Sequence, residues 1–369
     1  MNDRERFLDI MAFRPVDRVP DYELALWSQT YDRWVAEGLP RDVLYQNWFD
    51  GEPYFGLDRR AFTPINIWML PGFEPEVLEE TDRYVVRRHE DGIVTRGLKE
   101  GSVRGMRASM DQHLTHPVTD RASFRALKRR YDPSSPVRCP QWWDTMVQAW
   151  QQRDYPLCLL TNGSAGLYSQ LRSWCGTEGI SYLFFDDPVL VEEMVEFNVD
   201  FILKVTERAR RDIACDYFNF FEDFAGKGGP LVSPDLFRTF LLPGYRRIVG
   251  EFRRSGIRHF WLDSDGDPRV LIPLMLEAGI TCLWPLEIAA EIDPMEIRRR
   301  YGRDLALAGG IDKRELAKGR AEIDREIERR MPLMETGGYI PHIDHSVPPD
   351  ISLDNFRYYL ERKRRLLGG

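Results

Sequence analysis

Ile257-Arg258-His259-Phe260-Trp261-Leu262 runs straight into Asp263-Ser264-Asp265-Gly266-Asp267-Pro268. The first six residues read as a short buried strand, rich in apolar and aromatic side chains. The strand ends on closely spaced carboxylates, and Pro268 opens a helical stretch to Ala278. The same cadence recurs on both sides. Strand-like runs cover 157–160, 215–221, 257–262, 280–283, 305–308 and 339–343. Helical stretches cover 188–210, 234–254, 268–278, 294–301, 321–334 and 352–367. Strand alternating with helix predicts parallel strands joined by crossover helices. Early strands near Val19 and Ile65 supply the rest. The predicted class is α/β, a distorted (β/α)8 TIM barrel, favoured over an open sheet. No GxGxxG follows the first strand and no GxxxxGK[ST] occurs, which counts against nucleotide-binding folds.

Such a barrel presents its chemistry at the carboxyl ends of the strands. Strand 157–160 ends in Thr161-Asn162-Gly163-Ser164, and 215–221 ends in Glu222-Asp223. Strand 280–283 ends in Trp284-Pro285-Leu286-Glu287, 305–308 in Gly309-Gly310-Ile311-Asp312, and the last in His342-Ile343-Asp344-His345. Glu222, Asp263, Asp265, Glu287 and His345 are expected to converge. So many carboxylates cannot all stay ionised without a cation or shared protons. A divalent metal is one solution, and zinc accepts both carboxylate oxygen and imidazole nitrogen. The bland alternative is that several cap helices or close Asx turns, which suits Asp267 best. His342 and Asp344 share a face if their segment is extended, so Asp344 can orient a histidine ring. Asn162, Tyr168 and Trp284 sit where substrate contacts are expected. His259 reads as a packed core histidine, whereas His113 can reach the pocket mouth.

The chain has 369 residues, 43% of them apolar and 30% charged, enough for a normal core. It reads as a single barrel domain over 1–369, with 1–150 carrying N-terminal additions and the early barrel. Predicted additions are a helix over 2–13, short helices over 30–37 and 75–80, a hairpin over 83–97 with Asp91-Gly92 at its turn, a helix over 120–130 capped by Thr119, and a helix over 136–153. A net charge of -8 argues against non-specific nucleic-acid binding. No long apolar run suggests a membrane span, and the charged opening Met1-Asn2-Asp3-Arg4 lacks a signal-peptide core, so a cytoplasmic location is expected. Cys139, Cys158, Cys175, Cys215 and Cys282 are odd in number and widely spaced, which argues against a disulfide framework.

Several motifs together resemble the uroporphyrinogen decarboxylase superfamily. They are Arg4-Glu5-Arg6-Phe7 through Pro15-Val16-Asp17-Arg18-Val19-Pro20, Ser233-Pro234-Asp235 after Glu222-Asp223, Asp263-Ser264-Asp265-Gly266, and Val347-Pro348-Pro349 to Asn355. The resemblance implies a distorted barrel that serves cofactor-free decarboxylases and also zinc methyltransferases working with corrinoid proteins. Pro20 to Trp27 lacks the arginines that would hold propionate groups in the decarboxylases. The methyltransferases carry His-x-Cys where Asp263-Ser264-Asp265 stands, and a cysteine where His345 stands. The resemblance therefore implies a site retuned to harder ligands, with zinc on Asp265, Glu287 and His345. Glu222, Asp263, His342 and Asp344 are the candidate catalytic groups. The expected activity is demethylation of a small methoxylated or methylated substrate, with the methyl group passed to a corrinoid protein. A homodimer is a further expectation. The alternatives are a metal-independent decarboxylase, which predicts several buried basic groups around the pocket, and a non-catalytic binding protein.

Overall fold

The computed structural model describes residues 1–46, 48–100, 102–103, 106–107, 111–160 and 165–367. Seven parallel strands follow one another in chain order: β1 Ala61–Phe62, β2 Leu157–Cys158, β3 Tyr217–Phe221, β4 His259–Asp263, β5 Cys282–Trp284, β6 Ala306–Ala308 and β7 Tyr339–Ile340. Each pairs in parallel with the next, so Phe221, Asp263 and Trp284 end level with one another. The six strands predicted from residue 157 onward are thus present as a parallel sheet wrapped by helices.

Among the described residues β7 and β1 do not pair, so the ladder itself does not close into eight strands. The segment around Val19, expected to hold an early strand, bridges the gap without forming a regular strand. Leu26 makes a parallel bridge to Val347. The Val347 amide donates to the Ala25 carbonyl at 2.9 Å, and the Asp58 amide to that of Asp21 at 3.0 Å. Pro20 lacks an amide proton, which helps explain the irregular start.

Side chains alternate across the sheet as strand geometry requires. Phe218, Phe220, Phe260, Leu262, Leu283 and Leu307 face the helices. Cys158, Tyr217, Trp261, Cys282, Trp284, Ala306, Ala308 and Ile340 form the interior cluster with Phe7, Tyr22 and Phe49. The helix Asp3–Met11, held by an Asn2/Glu5 capping box, closes the floor of the bore. Its Phe7 ring lies 5.0 Å from Tyr217 and 5.9 Å from Trp261.

Several predicted elements are corrected. Residues 75–80 are not helical: Glu76–Glu80 is an exposed strand, paired with Tyr84–Arg88 in a four-stranded antiparallel sheet completed by Val94–Leu98 and Gln112–Thr115. Pairing outweighs local helix preference there. Asp120, not Thr119, caps the helix Arg121–Lys128. Pro140 confines the helix expected over 136–153 to Trp143–Gln151. A π-helical turn at Phe237–Leu241 interrupts the helix expected over 234–254, because Pro243 cannot donate into the ladder. Among the described residues no helix is long and apolar enough to cross a membrane.

Candidate functional site

Arg60 enters the bore just before β1. It is 1% exposed, yet among the described residues its Nε and Nη2 are buried without a hydrogen-bond partner. Its charge rests on aromatic faces instead. Cζ lies 4.5 Å from the Tyr22 ring, 4.2 Å from Phe49 and 6.0 Å from each of Trp261 and Trp284. Burial pushes the guanidinium pKa below its ordinary value, opposed by neighbouring acidic groups that include Asp263. Asp263 ends β4 at the top of this bore. Burial, and then the nearby Asp265 and Asp223, raise its carboxyl well above the usual range.

His342 follows β7 into the same interior. Its Nδ1 lies 2.7 Å from the Ile343 carbonyl, which can only accept, so Nδ1 carries the proton. Nε2 is left bare, buried and unpartnered. Burial holds the ring near a pKa of about 3, so it is neutral. The Trp284 ring stands edge-on 6.1 Å away, its own Nε1 donating to Asn219 at 2.8 Å. Gly309 makes this packing possible: at φ +92°, an added Cβ would lie 2.0 Å from the Pro285 carbonyl oxygen and 3.0 Å from the His342 ring.

Above the bore lies a more solvated rim. Asp265 Oδ2 and His345 Nε2, from the ends of β4 and β7, face each other at 3.7 Å. The Asp265 carboxylate raises the pKa of His345, with partial burial opposing it. In return, burial pushes Asp265 upward, but His345 and Lys313 more than offset this and keep it ionised. Glu287 accepts from the Gly266 amide at 3.2 Å and pairs with Lys313 at 3.4 Å.

Other nominated residues serve the scaffold. Glu222 accepts from the Leu167 amide, from Tyr245 and, at 2.9 Å, from the Ser169 amide, so it anchors the start of the helix Tyr168–Asp186. Its burial raises the carboxyl to about 7. Asp344 accepts from Ile288 at 2.9 Å and from Lys313 at 3.2 Å, tying together the loops after β5 and β6. It holds neither histidine ring. Tyr168 packs in the layer between sheet and helices, and Asn162 lies outside the described residues.

The zinc expectation meets a geometric obstacle. Zinc needs three or four donors about 2.0–2.3 Å from one point. Asp265 and His345 offer two, while Glu287 is engaged by Lys313. Among the described residues no three His, Cys, Asp or Glu side chains gather around a common point. The three nominated ligands share one rim, but the Lys313 ammonium supplies its positive charge. A cleft of about 1000 Å³ adjoins the ends of β2 and β3, lined by Trp68, His113, His116, Arg172, Phe221 and Asp223 among others. His113 thus lies at a pocket mouth, while none of the candidate catalytic, substrate-binding or metal residues lines the cleft.

Residues 105–366 match the family described as uroporphyrinogen decarboxylase. The chain belongs to the uroporphyrinogen decarboxylase family. It is 25% identical over 193 residues to a uroporphyrinogen decarboxylase of Acidiphilium cryptum, covering 50% of each protein. It is 22% identical over 215 residues to one of Xylella fastidiosa, covering 56% of each. The chain thus spans about half the length of the curated relatives it matches. A methyltransferase from Methanosarcina mazei superposes with a TM-score of 0.59 over 99% of both chains at 14% identity, a likeness of fold.

Sequence reasoning missed Arg60 and Lys313. Arg60 stands in Leu57-Asp58-Arg59-Arg60, which reads as a charged surface turn. The available signal was its place directly before the apolar run Ala61-Phe62.

Proposed function

We propose that this family member moves a methyl group from a small methylated or methoxylated substrate to a corrinoid carried by another protein. The observation that carries this reading is the meeting of Asp265 and His345 at 3.7 Å, from two strands far apart in sequence. These positions correspond by resemblance to thiolates in the methyltransferase branch. Here they form a carboxylate–imidazole pair. A methyl ether or amine releases its methyl group more readily when the departing heteroatom gains a proton. His345, whose protonated form Asp265 favours, can donate that proton from Nε2 as the carbon–heteroatom bond breaks. The corrinoid, when bound, supplies the nucleophile that receives the methyl group. The cleft beside β2 and β3 has the breadth for a large planar group. Lys313 keeps Glu287 from competing for the same proton.

The decarboxylase alternative expects several buried basic groups around the pocket. The bore holds Arg60, whereas Arg153, Arg330 and Lys363 are each tied to carboxylates. Asp263, whose carboxyl burial pushes up, is the feature that favours this second reading, because in its acid form it could protonate a carbanion left by departing CO2.

Methyl transfer from a panel of aryl methyl ethers and methylamines to a reduced corrinoid protein, followed by corrinoid absorbance, tests the proposal. His345→Gln is expected to lower the rate by about 10²–10⁴-fold. Wild-type rates should fall as pH rises through the elevated His345 pKa, because the imidazolium is then lost. Equal rates in wild type and variant would sink the reading. Carbon dioxide release from a carboxylated substrate without methyl transfer would favour the alternative.

A further inference from the structure

Arg60 presents an unmet demand. A buried guanidinium without partners is costly, and cation–π contacts offset this only in part. The free groups are specific: Nε and Nη2 form one edge of the guanidinium, the edge that grips a carboxylate through two parallel hydrogen bonds. Two further buried groups of the same interior, Tyr22 Oη and Trp261 Nε1, also lack partners. Among the described residues, the buried unpartnered acceptors of this interior are His342 Nε2 and the Tyr22 hydroxyl oxygen, neither of them anionic. The site is therefore short of acceptors. Asp263 does not fill the role, since it makes no hydrogen bond to Arg60. The walls are the rings of Phe49, Trp261 and Trp284, and β6 contributes only Ala306 and Ala308 to the interior cluster. A planar apolar body suits such walls.

We propose that the bore binds a small organic carboxylate, its carboxylate gripped side-on by Arg60 Nε and Nη2 and its body lying among Phe49, Trp261 and Trp284. The inference rests on the bore being the substrate's site, and not on which bond is broken there. Under the methyl-transfer reading it makes the substrate a methylated acid whose charged end points down the bore and whose methyl group faces the rim.

Binding can be read without turnover, using benzoate as the probe and benzamide as its neutral counterpart. Calorimetry on the whole chain is expected to show saturable one-to-one benzoate binding. Arg60→Met should weaken it by at least about tenfold, as expected for a charged hydrogen-bonding pair, and leave any benzamide binding unchanged. Wild-type protein that fails to bind millimolar benzoate overturns the proposal. So does equal benzoate affinity in wild type and variant, or competition by chloride as effective as benzoate itself. Should Arg60→Met not fold, wild-type crystals soaked in 4-bromobenzoate decide the matter. Bromine density inside the bore supports the assignment, and an empty bore overturns it. Failure here with methyl transfer intact would condemn the carboxylate site alone. Benzoate binding without methyl transfer would condemn the reaction alone.

Discussion

Lys363→Met should be among the most damaging single changes outside the site. The ammonium is fully buried on the C-terminal helix Leu353–Leu367, 2.8 Å from Asp21 and 2.5 Å from Glu23. Both carboxylates are almost wholly buried as well. Removing one member of a buried ionic cluster typically costs about 3–5 kcal/mol, because the remaining charge is uncompensated. Asp21 keeps Arg364 at 2.7 Å, so most of the loss falls on Glu23. Glu23 retains the Tyr359 hydroxyl at 2.7 Å and the Ile343 amide at 3.1 Å, neither of which neutralises it. A loss of about 4 kcal/mol follows. At about 2.1 cal/mol/K per residue, 369 residues give an unfolding entropy near 0.8 kcal/mol/K, so Tm should fall by about 5 °C. Burial already raises the Glu23 pKa, and without Lys363 it rises further. The native variant would then hold a proton that its unfolded chain releases above the ordinary carboxylate value. Its deficit should therefore be larger at pH 8 than at pH 5. Adding Glu23→Gln should restore more than half of the loss. Calorimetric scans at both pH values provide the assay. A loss below about 1 kcal/mol, or equal deficits at the two pH values, would refute the reasoning.

Three other outcomes follow from the geometry. Burial lowers His342 to about 3 and His259 to about 4, whereas the unfolded chain protonates both near 6.5. Acidification to pH 5 should then cost about 2 kcal/mol for each, and His342→Asn should flatten the stability profile measured by denaturant titration. Gly309→Ala forces a side chain into a left-handed backbone with a 2.0 Å approach to Pro285, and should destabilise by at least about 2 kcal/mol in thermal melts. Lys313→Met removes the cation from the rim, where one charge at about 4 Å is worth about 4 kcal/mol at intermediate dielectric. Zinc affinity measured by competition with a chelating dye should rise at least tenfold, and unchanged affinity would show that Lys313 does not hold the metal off.

The parallel strands were legible because each apolar run is short, alternates with a helical stretch and stops at polar residues. The convergence of Asp265 with His345 followed from that frame alone. What stayed hidden were charges placed against their usual habit. Lys363 sits in Glu361-Arg362-Lys363-Arg364, which looks like a solvated helix end. Yet it lies three, four and seven residues beyond Leu360, Tyr359 and Phe356, on their buried face. That spacing was readable. The Glu23–Lys363 pairing was not, since 340 residues separate its members. Likewise, no local pattern shows that Glu222 and Asp344 spend their oxygens on neighbouring amides. Their residue type at a strand end is the same as that of Asp263, and only the neighbours differ.

The irregular segment between Asp21 and Trp27 has a consequence for synthesis on the ribosome. Glu23 finds its partners at Ile343, Tyr359 and Lys363. At about 5–20 residues per second, it must wait roughly 20–70 s after translation before the last of them exists. Until then the edge of β1 and the interior aromatics have no cover on that side. A nascent chain in this state is a client for chaperones, and rapid heterologous expression at high temperature is where such a chain would first aggregate.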